Sequence, residues 1–74
     1  MRALTESEIE RLAQRKGVRR LAVENFLGTL GSMNRSEAMG NLAIDQSSYG
    51  WNIKTYTAIK DGINLAGAEG KEDV

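Results

Sequence analysis

Five cations, Arg11, Arg15, Lys16, Arg19 and Arg20, fall within ten residues that contain no carboxylate. Guanidinium groups hold phosphate or carboxylate through paired hydrogen bonds, and arginine can grip guanine, or asparagine adenine, with the same two-bond geometry. Such a run is equipped for recognition, either of a polyanion or of an acidic surface. Glu24 and Asn25 follow close behind it. Catalysis has less to work with. The chain holds neither cysteine nor histidine, which removes thiolate and imidazole nucleophiles, Ser-His arrangements, the common soft-metal ligands and a histidine pH switch. The Asp, Glu, Lys, Tyr and Ser that remain show no spacing that would bring a base to a nucleophile. Asp45 and Asp61 could pair in principle, but they read more simply as solvated helix charges. The glycines are scattered and form no phosphate-cradling loop. A non-enzyme is expected, with no cofactor and no metal.

Composition narrows the class further. With 74 residues, 41% apolar and 27% charged, the chain has the balance of an ordinary globular domain with a thin stability margin. No apolar run approaches the roughly 20 residues that span a bilayer, and MRALTESEIE lacks the apolar core of a leader. A cytoplasmic protein with no membrane contact is the expectation. Net charge is zero, yet residues 1–35 carry seven basic against four acidic side chains, or +3, and the remainder carries −3. Bulk charge therefore cannot coat nucleic acid, so any such binding must use one local face.

Four helices would position these groups. Thr5 with Glu8 makes a capping box, so a first helix starts there with Ile9, Leu12 and Ala13 turned inward and Arg15 and Lys16 in its last turn. Gly17 supplies a left-handed residue to end it. From Val18 the apolar spacing continues through Leu21, Val23, Phe26, Leu27 and Leu30, predicting a second helix over residues 19–30. Asn34 with Glu37 caps a third helix with Met39, Leu42, Ala43 and Gln46 on one face, stopping between Ser47 and Gly50. Asn52 with Thr55 opens a fourth whose stripe is Ile53 or Tyr56, then Ile59 and Ile63, with Gly67 beyond its end. The fold class is all-α: a compact three- to four-helix domain over residues 1–67, followed by a flexible polar tail over 68–74. A strand over 53–57 would make it a small winged-helix variant instead.

Residues 8–30 resemble the helix-turn-helix of bacterial and archaeal DNA-binding proteins. The resemblance is carried by Ala13, small where two helices cross; Gly17 in the turn; Val18 under it; and Val23 and Phe26 on the inner side of the second helix. It implies a small prokaryotic DNA-binding module, a transcriptional regulator or accessory factor. Arg19, Arg20, Glu24 and Asn25 would then face base edges while Arg15 and Lys16 meet phosphates of double-stranded DNA. Arg19 stands where Ser or Thr often caps the second helix, and Leu21 would lie exposed on the reading face. A module this small would need a homodimer for tight specific binding, with Leu27, Leu30, Met33 and Met39 as candidate contacts.

A shift of 33 residues pairs Gly17 with Gly50, Val18 with Trp51, Val23 with Tyr56, Phe26 with Ile59 and Leu30 with Ile63. Residues 41–64 could thus be a second reader or a brace. Trp51 reads as a core anchor, and Tyr49 and Tyr56 as packing residues. The competing expectation for the whole chain is a helical protein-protein interaction module without nucleic-acid binding, its Arg15 to Arg20 patch docking an acidic protein partner.

Overall fold

The computed structural model describes residues 1–70, which form four α-helices and one short 3-10 turn. No strand occurs among the described residues, and residues 53–57 are helical, so the winged variant is not formed. Helix α1 spans Glu6–Ala13, α2 Arg20–Leu27, α3 Arg35–Tyr49 and α4 Ile53–Gly70. Both capping boxes are present: the Thr5 and Asn34 side chains accept the amides of Glu8 and Glu37, whose carboxylates accept back from the cap amides. Asn52 takes the same part at α4, its Oδ1 accepting the Thr55 amide at 3.0 Å.

Several boundaries differ from the sequence expectation. Helix α1 stops at Ala13 with Gln14 as its cap, so Arg15 and Lys16 lie in the turn beyond it. Helix α2 ends at Leu27, not at Leu30, and Leu30–Ser32 tightens into the 3-10 turn that aims the chain toward α3. Gly28 and Thr29 are weak helix formers, and the Thr29 hydroxyl bonds back to the Phe26 carbonyl, competing with helical continuation. On α3 the inner face is Ala38 and Leu42, while Ala43 is exposed. Helix α4 runs through Gly67 into the segment expected to be tail, and the rest of that tail, residues 71–74, lies outside the described residues. Of the alternatives for its first inward position, Ile53 is 69% exposed and Tyr56 is half-buried against the core.

Helix α4 is the spine. It packs against α1, α2 and α3, and α1 also packs on α2, whereas α2 and α3 make at most glancing contact. Ile59, Ile63 and Ala66 of α4 meet Leu12, Val23, Leu27, Leu30 and Leu42 in one core, closed at one end by Trp51. Helices α2 and α4 approach closely at Gly62, where an added Cβ would lie 2.6 Å from a Leu27 methyl.

Two glycines on the helices should respond oppositely to the same substitution. Gly40 of α3 has nothing within 4 Å of an added Cβ, so Gly40→Ala should stabilise by about 0.5–1 kcal/mol in urea unfolding. Gly62→Ala should cost about 1–3 kcal/mol by overpacking. Acid stability supplies a second check. The Arg2 guanidinium first, and the Thr5 amide next, hold the Glu8 carboxyl down at about 2 from an ordinary 4.5. Because the folded value is the lower one, this contribution is whole above pH 4.5 and drains as pH falls toward 2. Glu8→Gln should start from a lower melting temperature at pH 6 and decline less steeply than wild type across that window.

Candidate functional site

The turn between α1 and α2 is built from both halves of the chain. Gly17 sits at φ +81°, a left-handed conformation that strains any residue with a side chain. An added Cβ there would also lie 2.7 Å from Cδ of Lys54, whose stem covers the turn. Asn52 Nδ2 donates to the Gly17 carbonyl at 2.8 Å, and the Arg19 amide donates to Thr55 Oγ1 at 2.9 Å. Thr55 is fully buried for this purpose. The second turn shares a left-handed glycine followed by an apolar residue that packs on the core, but Gly50 caps α3 directly at φ +64°, whereas Gly17 lies three residues beyond Gln14, the cap of α1, and so does not itself end that helix.

The expected site residues are engaged to different degrees. Arg15 donates to Asp61 of α4 at 2.7 Å, both side chains 44% exposed. Arg20 is held by two carboxylates, Glu10 of α1 at 2.6 Å and Glu24, one turn on, at 2.9 Å. Glu24 foremost, then Glu10, raise the Arg20 pKa, and Glu10 is itself lowered by the Gln14 amide ahead of Arg20. Exposed pairs of this kind stabilise little, yet each occupies donors that a phosphate would need. Lys16 is exposed and makes no ion pair among the described residues. Arg19 reaches only the Tyr49 carbonyl, at 3.5 Å.

What the fold does bring together is Arg19, Arg20 and Asn25, on one wall of a cleft of about 780 Å³ between α2 and α3. Leu21 stands on the same wall, 71% exposed. The opposite wall is Asn41, Asp45 and Tyr49, spaced four apart on α3, and the floor is Ala22, Phe26, Met33 and Trp51. Tyr49, expected to pack, is 63% exposed and stacks on Trp51 with ring centroids 5.7 Å apart, while Phe26 meets Trp51 edge-on at 6.1 Å. Asp45, expected to be a solvated charge, is half-buried on the cleft wall and makes no hydrogen bond or ion pair with a described residue. Glu24 turns away from the cleft, toward Glu10 and Arg20, and borders a shallow hollow against α1. Of the expected dimer contacts, Leu27 and Leu30 are consumed by the core at 1% and 0% exposure, and Met33 lines the cleft.

The α3 wall carried a readable sign, the every-fourth-residue spacing of Asn41, Asp45 and Tyr49, but that face is a cleft only because α2 stands off from α3. No group of three His, Cys, Asp or Glu able to hold a metal occurs among the described residues, and no described helix is long and apolar enough to cross a membrane. Comparison with family models, curated proteins and solved structures finds no match to this chain.

The masking of Arg20 can be measured directly. Replacing Glu10 and Glu24 together by Gln should strengthen retention on immobilised random duplex DNA at low salt relative to wild type. Unchanged retention would show that the two carboxylates do not restrain this cation.

Proposed function

We propose that the chain is a helical protein-interaction module that takes an amphipathic segment of a protein partner into the cleft between α2 and α3. The observation that carries this is the pair of helices left unpacked on either side of an apolar, aromatic floor, with Leu21 and Tyr49 projecting from its walls. A groove flanked by two helices suits a third amphipathic element, whose apolar positions at helical spacing would contact Ala22, Phe26, Met33 and Trp51. Tyrosine and tryptophan give large contact area at low entropic cost. Leu21 occupies the place where a base-reading side chain would be needed, and both Arg15 and Arg20 are engaged by carboxylates.

Duplex DNA is the second reading, in which the module would serve a transcriptional regulator or accessory factor. Its specific support is the left-handed Gly17 turn, with Ala13, Val23 and Phe26 buried at helix-turn-helix spacing and Lys16 and Arg19 outside carboxylate pairs. Under it Arg19 and Asn25 would reach base edges and Lys16 a phosphate.

Selection of displayed helical peptides against the wild-type protein, beside titration with random duplex DNA at low salt, separates the two. The expected result is peptides sharing an i, i+3/i+4, i+7 apolar pattern, which lose at least about tenfold in affinity on Leu21→Glu and none on Arg11→Ala. DNA binding that is stronger than peptide binding and falls on Arg19→Ala would overturn the proposal.

A further inference from the structure

We infer that the natural occupant of the cleft is a second copy of this chain, in a two-fold dimer. In it Leu21 of each copy enters the cleft of the other, and Arg19 of each meets the other's Asp45. The inference rests on the cleft being a protein-docking surface and names its partner.

A two-fold interface uses the same patch on both molecules, so that patch must carry both members of every complementary pair. This one does. It holds a projection, Leu21, 71% exposed, beside a recess floored by Phe26, Met33 and Trp51. It also holds one charge of each sign without an ionic partner. Among the described residues Arg19 touches no carboxylate and Asp45 no cation, and the two line the same cleft without reaching each other. The remaining cleft arginine, Arg20, already has Glu10 and Glu24 beside it within the molecule, which offset its charge when two such surfaces meet.

The Asp45 carboxylate has no donor among the described residues, and a guanidinium from outside would supply one. A foreign helix could pack against Leu21 and fill the recess, but it would have to bring its own apolar projection for the recess and its own guanidinium for Asp45. A second copy brings both. Polyanions fit worse, since Asp45 would face them inside the recess.

The interface is small, so association is expected within the weak range, and sedimentation equilibrium of the full chain from about 1 µM to about 1 mM reads it. The weight-average mass should climb from 8.1 kDa toward twice that value. Leu21→Glu, Asp45→Arg and Arg19→Glu should each weaken dimerisation at least about tenfold while leaving helical content and melting temperature close to wild type, since the changed side chains face the cleft. The deciding arm mixes the two charge variants. Asp45→Arg and Arg19→Glu each repel their own kind, but in a heterodimer both cross-contacts become attractive, so an equimolar mixture should recover the dimer that neither forms alone. A wild-type mass of 8.1 kDa across the whole range overturns the inference, as does a dimer indifferent to Leu21→Glu or a mixture that stays monomeric. If the wild type stays monomeric while selected helical peptides still dock at Leu21, only the identity of the partner is refuted. If neither dimer nor peptide binding is seen, the protein-docking function falls with it.

Discussion

Asn52 and Thr55 set the conformation on which the rest of the molecule depends. Asn52 accepts the Thr55 amide to start α4 and donates to the Gly17 carbonyl, while the buried Thr55 hydroxyl accepts the Arg19 amide that starts α2. Two helix starts and one left-handed turn are thereby held by three hydrogen bonds that meet at the buried Thr55 and at Asn52 beside it. The direction of α2 follows, since its first residues are tied to α4 and its last, Leu27, is pressed on Gly62. Helix α3 meets α4 from elsewhere, and the space that neither helix fills becomes the cleft.

The same constraint decides what the cations can do. A charge run read along the chain suggests an electropositive face, but folding brings Asp61 to Arg15 and Glu10 to Arg20. These contacts add little to stability. Their effect is to make the surface locally neutral and to leave recognition to shape and apolar area. Among the described residues Lys16, Arg19 and Asp45 stand outside these ion pairs, and of these Arg19 and Asp45 stand at the cleft.

Local signals were the legible part of the sequence. Capping boxes at Thr5 and Asn34, the left-handed Gly17, the buried pattern of Val23, Phe26, Ile59 and Ile63 and the anchoring of Trp51 each leave a mark in residue type or spacing within a turn or two, even where distant partners complete the contact. The unreadable part was non-local. The Arg15 to Asp61 contact spans 46 residues, and nothing near Arg15 announces it. The ending of α2 at Leu27 depends on the Thr29 hydroxyl and on where Leu30 must go to be buried. Tyr49 was expected to pack with its hydroxyl toward solvent; it does stack on Trp51, but it stays 63% exposed because α2 stands off from α3 across the cleft. Helical spacing grouped Arg19, Arg20, Glu24 and Asn25 on one face, whereas the structure sets Arg19, Arg20 and Asn25 along a cleft with Asp45 and two aromatic rings and turns Glu24 toward α1, which is a property of how the helices meet and fail to meet.

The clamp on the first turn also has a consequence for the order in which the molecule can form. Its donors and acceptor at positions 52 and 55 lie 35 and 36 residues beyond the groups that they hold. A nascent chain emerging from the ribosome exposes α1 and α2 well before α4 exists, so that pair must idle as loosely coupled helices, too short to persist alone. Synthesis of the final helix therefore completes the geometry of the first two, and an arrest that withholds α4 should leave an open, exchanging precursor.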